Sequence, residues 1–142
     1  MYWLGVDHGD VRIGLAGGDA GRGIASPLKV IPAQPPEAVA PAIIKLAQEY
    51  NAGGIVVGLP LNMDDSEGPQ AKLARDFALM LQQATGLDVR LWDERLSSFA
   101  ADKTLAGHMT RGKRRAIQDA IAAAEILQDF FACDGPDAAP RP

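Results

Sequence analysis

The sequence predicts an α/β domain: a sheet containing parallel strands, with helices covering its faces. Three observations predict it. Two apolar runs, Tyr2 to Asp7 and Val11 to Ala16, flank a tight glycine-containing turn, the signature of a β-hairpin. Gly54-Ile55-Val56-Val57-Gly58-Leu59 is a short continuous apolar run, as expected of a strand buried on both faces of a parallel sheet. From there onward, strand-like and helix-like segments alternate, which places helices over a parallel sheet.

Taken in order, the hairpin comes first. Tyr2, Leu4 and Val6 share one face of its first strand, and Trp3, Gly5 and Asp7 share the other. Gly17 to Gly23 is a glycine-rich turn without the fixed spacing of a phosphate-binding loop. Ile24 to Ile31 forms a third strand, which Pro27 makes irregular or places near an edge. Pro35-Pro36-Glu37 open a helix that buries Val39, Ile43, Leu46 and Ala47 and ends at Asn51 to Gly54. After the buried strand comes a loop, Pro60 to Pro69. A long helix follows with Leu73, Phe77 and Leu81 inward, closed by Ala84-Thr85-Gly86. Val89 to Trp92 is the next strand and runs into Asp93-Glu94-Arg95. Ser97 or Ser98 caps a short helix to about Leu105, and Gly107 to Gly112 is a flexible link. The last helix, Arg114 to Ala132, buries Ile117, Ile121, Ala124, Leu127 and Phe131. The order is thus β-β-β-α-β-α-β-α-α. Residues 1–132 make one domain, and 133–142, rich in Pro, Ala and Asp, form a disordered tail.

A chain of 142 residues suffices for one sizeable core and not for two. The single cysteine, Cys133, excludes an intrachain disulfide framework. With no basic leader at the start and no apolar stretch near the ~20 residues that span a bilayer, a cytoplasmic protein without membrane contact is expected. The net charge of −4 argues against non-specific coating of nucleic acid. Local clusters exist nonetheless: Arg111, Lys113, Arg114 and Arg115 are basic, whereas Asp64, Asp65 and Glu67 are acidic.

Ligands bind outside the carboxyl ends of parallel strands in such sheets. Asp7, the Asn62 to Asp64 loop and Asp93-Glu94 all stand at strand carboxyl ends. Each has an ordinary explanation. A strand-end Asp commonly bonds turn N–H groups, Asp93-Glu94-Arg95 fits a local ion pair, and Asp119 fits an acid favoured by a helix dipole. Strand alternation lets only one of Asp93 and Glu94 reach Asp7. Together, however, three or four carboxylates from two strand ends and one helix are what hard cations require. Two Mg²⁺ or Mn²⁺ ions in such a site stabilise the attacking and leaving oxygens of a phosphodiester displacement. Zinc finds no ligand spacing in one Cys and two His. His8 faces away from Asp7 and is structural, and His108 is a solvated loop residue.

Four strings, G-V-D-H-G-D-V-R-I-G-L-A, I-V-V-G-L-P-L-N-M-D, D-E-R-L-S-S and I-Q-D-A-I-A-A-A-E-I-L-Q, occur in this order between residues 2 and 131. In them the chain resembles the YqgF (RuvX) family. The resemblance implies an RNase H-like fold: a five-stranded mixed sheet, second strand antiparallel, with helices on both faces. It implies an acidic metal site in which the family's three acids fall on Asp7, Glu94 and Asp119. Two roles are associated with the family, processing the 5′ end of precursor 16S ribosomal RNA and resolving Holliday junctions. Two positions depart from its pattern: Asp65 stands where Gly is usual, and His8 where an aromatic or apolar residue is commoner.

The resulting expectation is a metal-dependent nuclease in which Asp7, Glu94 and Asp119 hold ions. Arg12, Asn62, Arg95, Lys113, Arg114 and Arg115 are the candidates for binding substrate. Precursor ribosomal RNA is the expected substrate, possible company in ribosomal particles included, with four-way DNA junctions as the alternative. Junction resolution needs two sites in a symmetric dimer. The large apolar residues are spent on one core face, so a monomer is expected. Two other readings compete. A sugar-kinase or actin-like ATP site also opens on a strand–Asp–x–Gly hairpin but needs a second domain. A non-catalytic RNA-binding module has little reason to keep three mutually repelling acids.

Overall fold

The computed structural model describes residues 1–60, 64, 66–93, 111–133 and 142, with the backbone alone for 111–117. Its strands are β1 (Tyr2–His8), β2 (Arg12–Asp19), β3 (Ile24–Pro32), β4 (Gly54–Leu59) and β5 (Asp88–Asp93). The helices are α1 (Val39–Glu49), entered through a 3-10 turn at Pro36–Ala38, α2 (Pro69–Thr85) and α3 (Arg111–Ala132). The sheet runs β3-β2-β1-β4-β5. β2 is antiparallel to both neighbours, while β1, β4 and β5 are parallel. This is the five-stranded mixed sheet that the family resemblance implies.

Side-chain alternation divides the sheet into two apolar faces. Leu4, Val6, Ile13, Leu15, Ile55, Val57, Val89 and Leu91 pack with Val39, Ile43 and Leu46 of α1 and with Phe77 and Leu81 of α2. Trp3, Val56 and Trp92 meet Ile126, Leu127 and Phe130 of α3 on the other face. Helices therefore cover both faces. Among the described residues, no helix is long and apolar enough to cross a membrane.

The predicted inward face of α1 is buried in full. β3 is an edge strand, and its pairing with β2 skips Leu28, so Leu15 faces Lys29 and Ala16 faces Pro27. A proline without an N–H to donate is tolerated at that irregularity.

Three predicted burials differ. Leu73 is 50% exposed, because α2 turns an alanine-rich face, Ala71, Ala74 and Ala78, toward the sheet with Phe77 and Leu81. In α3 Phe130 is fully buried and Phe131 only partly, and Ile121 is half-buried. The seam is Ala123, Ile126, Leu127 and Phe130, spaced i, i+3, i+4 and i+7. The helix also starts at Arg111, three residues before its predicted start. The predicted helix after Ser97 or Ser98, most of the link and all but two residues of the tail lie outside the described residues, as does the side chain of Ile117.

Candidate active site

What positions the site is the seat of α3 on the hairpin. Two glycines on one sheet face let the helix backbone approach closely. A Cβ on Gly5 would stand 2.7 Å from the main-chain oxygen of Ala123. One on Gly14 would occupy the space held by the main-chain oxygen of Asp119. At the level of Gly5 its register partner Ala16 packs on Ala123 and Ala124. At the far end Trp3 contacts Phe130, ring centroids 4.8 Å apart. The helix thus runs along β1 in the opposite direction, from Asp119 at the level of Gly14 to Phe130 at Trp3. Gln128 fixes it to the β2–β3 connection. Its Oε1 accepts from the Ala25 N–H at 3.0 Å, and its Nε2 donates to the Gly23 carbonyl at 2.6 Å.

Gly14 is the register partner of Asp7. Asp7 follows Trp3 and Gly5 on the α3 face, so at the carboxyl end of β1 it stands across from the same glycine on which the main chain of Asp119 packs. Asp7 comes from residue 7 of the chain and Asp119 from a helix more than a hundred residues later. Both are half-buried, and no described polar or charged side chain is fully buried. Arg12, two residues before Gly14, shares that face. Its Nε donates to Asp119 Oδ2 at 2.6 Å, and the two side chains keep 35% and 28% exposure. A partly exposed pair of this kind contributes about 0–1 kcal/mol. The bond orders the site more than it stabilises the fold.

The ordinary explanation for Asp119 does not hold. A helix dipole acts within its first turn, and Asp119 lies two turns into α3. His8 turns to the opposite face and stacks on Phe77, ring centroids 4.3 Å apart. Burial lowers its pKa, against a smaller raising effect of Asp10 and Asp7. It is structural, as the alternation predicts. Arg90 and Trp92 lie on the α3 face of β5, so Asp93 projects from the opposite one. In the acidic loop, Asp64 Oδ1 accepts from the N–H and hydroxyl of Ser66, and Glu67 is held by Arg75 Nη2 at 2.8 Å. Bonding to Arg75 holds the Glu67 carboxyl below the usual range.

The structure therefore bonds Arg12 to Asp119 and sets the Asp119 main chain on Gly14, the register partner of Asp7. Lys113, Arg114 and Arg115 stand in the opening turns of the same helix, with Arg115 one turn before Asp119. Their side chains, together with Glu94, Arg95, Asn62 and Asp65, lie outside the described residues. Among the described residues no three His, Cys, Asp or Glu converge to hold a metal. Asp7 and Asp119 are hard oxygen donors, the chemistry that Mg²⁺ and Mn²⁺ take and that zinc sites seldom use alone. A cationic guanidinium on Asp119 marks the place where positive charge is favoured.

Sequence reasoning missed two participants. Gly14 seats Asp119, and Phe77 holds His8 out of the site. The first had a signal: Gly14, Ala16 and Gly18 are small at every second position of β2, the mark of a face reserved for a close backbone.

A family model described as "RuvX: Holliday junction resolvase" matches residues 1–133. Relatives carry the name "Putative pre-16S rRNA nuclease". One from Paracoccus denitrificans is 47% identical over 125 residues, covering 87% of this chain and 79% of its own. Another, from Pelotomaculum thermopropionicum, is 44% identical over 137 residues, covering 95% and 89%. Among solved structures, Thermus thermophilus RuvC in complex with a Holliday junction substrate superposes with a TM-score of 0.58. It is 16% identical and covers 99% of this chain and 98% of that one, a likeness of fold alone. With that match over nearly its whole length and these relatives, the chain belongs to the RuvX family.

Proposed function

We propose that this chain is a metal-dependent nuclease that hydrolyses phosphodiester bonds of precursor 16S ribosomal RNA at the 5′ end, working as a monomer on nucleic acid that includes precursor ribosomal particles. The observation that carries it is that Gly14 is both the register partner of Asp7 and the seat of the Asp119 main chain. The relatives at 44–47% identity that bear a pre-16S rRNA nuclease name support the substrate.

In this reading Asp7, Asp119 and Glu94 hold two Mg²⁺ or Mn²⁺ ions. Support for Glu94 is that Asp93, the other acid of the pair, lies on the face of β5 opposite Trp92 and α3. Bound ions would supply Lewis-acid stabilisation of charge on the reacting phosphate. Asp7 and Asp119 supply the anionic donors, and the α3 seat fixes their spacing before substrate arrives. Arg12, Arg95 and Asn62 hold phosphate and sugar near the acids, and Lys113, Arg114 and Arg115 guide the flanking backbone.

The test is cleavage of precursor 16S ribosomal RNA and a four-way DNA junction side by side, with Mg²⁺ and with Mn²⁺, and light scattering on the same sample. Cutting of the RNA by a monomer is the expected result. A dimer that nicks junctions symmetrically and leaves the RNA intact would replace this reading with junction resolution.

A further inference from the structure

We infer that Arg12 is a positioning residue that couples metal loading to substrate binding: it occupies Asp119 while no ion is held and turns to substrate phosphate when Asp119 is engaged. The inference rests on the reading above, in which Asp119 is a metal ligand and Arg12 a phosphate ligand. Its basis is geometric. Arg12 Nε and Asp119 Oδ2 are 2.6 Å apart, and an oxygen so engaged offers less of its negative charge to a second cation. One group cannot fully serve both partners.

The fold decides which partner moves. Asp119 is held by its own main chain: its carbonyl fills the space above Gly14, and α3 is fixed again at Ala123 on Gly5 and at Gln128 on the β2–β3 connection. Arg12 opens β2 beside the hairpin turn, where the Gly9 N–H bonds its carbonyl at 3.0 Å, and about a third of its side chain is exposed. Its long stem can swing while the backbone stays. The freed guanidinium remains on the same sheet face as the acids, its donors available to a phosphate oxygen. Metal and nucleic acid should therefore bind cooperatively, and equally so in either order, since the coupling is reciprocal.

Two measurements, neither requiring cleavage, test this. In calorimetry with Mn²⁺ alone, Arg12→Gln should bind the ion about fivefold more tightly than wild type, the value of one weak pair. In EDTA, binding of a fluorescein-labelled uridine 20-mer should tighten several-fold in Asp119→Asn, whose Arg12 is released. That gain should vanish in the Arg12→Gln/Asp119→Asn double variant. A gain that persists there is only the loss of an acid's repulsion and overturns the inference, as does unchanged or weaker Mn²⁺ binding by Arg12→Gln. Far-UV circular dichroism on each variant keeps misfolding apart from these outcomes, and Arg12→Met replaces Arg12→Gln in both arms should that variant not fold. If wild type cuts the ribosomal precursor and Arg12→Gln binds Mn²⁺ as wild type does, the inference alone fails. If wild type cuts neither substrate, the nuclease reading fails, whatever the Mn²⁺ isotherms show.

Discussion

The main-chain carbonyl of Asp119 fills the space that a side chain on Gly14 would need. One glycine thus sets the height of α3 above the hairpin, and with it the position of an acid beside Asp7. The relationship links a packing requirement to a chemical one. A residue with no side chain at all decides where a carboxylate stands.

Gly14→Ala should therefore hurt twice. The added methyl meets backbone rather than a flexible side chain, so α3 must lift. Overpacking of this kind costs about 1–3 kcal/mol, visible as a lower denaturant midpoint. Activity should fall further than stability explains, because Asp119 rises away from Asp7. Wild-type cleavage by a folded Gly14→Ala protein would show that the seat does not position the acid.

Asp7→Asn should abolish metal-dependent cleavage while leaving the fold intact. Asn is nearly isosteric, and Asp7 is half-buried at a strand end rather than in the core. Relief of repulsion among the acids of the site should leave the melting temperature of the metal-free variant at or above that of wild type. Circular dichroism melts and a cleavage assay on one preparation check both halves. Retained full activity would remove Asp7 from the site.

Much of this architecture was legible because strand alternation is a local rule. The order Trp3, Gly5, Asp7 put the acid on a face of its own, and His8 on the other, before any partner was known. The inward face of α1 followed from spacing for the same reason. Helix faces failed where residue size outweighed pattern. Helical spacing puts Leu73 inward with Phe77 and Leu81, yet the sheet beneath α2 takes the smaller Ala71, Ala74 and Ala78. Phe130 and Phe131 are adjacent in sequence, and only the position of Trp3 and Trp92 decides which ring is buried. Small residues at every second position of β2 mark a close approach there, but the partner of Gly14 and the Arg12–Asp119 bond are hidden for a different reason. Each involves residues more than a hundred positions apart, and no periodicity reports on that.

Asp129 predicts a pH dependence. Burial raises its pKa, and its Oδ2 is buried with no hydrogen-bond partner among the described residues. A raised folded-state pKa means the group favours the fold below its unfolded-state pKa, and that this contribution is lost as pH rises through the folded-state value. At neutral pH the charged carboxylate is thus a penalty. Asp129→Asn should melt above wild type at pH 7, and the difference should close at about pH 3, where both states of the carboxyl are protonated. Equal melting temperatures at pH 7 would mean that the carboxylate finds compensation.

The basic cluster offers the last prediction. Lys113, Arg114 and Arg115 occupy the opening turns of α3 just before Asp119, in a chain whose net charge is −4. A merely solvated run and a phosphate-binding run differ in their response to salt, because only the second releases counterions from nucleic acid. Replacing all three with Ala should weaken binding of single-stranded RNA and flatten the plot of log affinity against log salt. At about 0.7 counterions per phosphate for a single strand, three lost contacts reduce the slope by about two. The measurement belongs in EDTA, so that metal loading and cleavage do not enter. Arg115 lies one turn from Asp119, so the same variant should also show whether strand and acids share one track. A triple variant with wild-type slope would make the cluster a solvated face and leave Arg12 as the principal cation at the site.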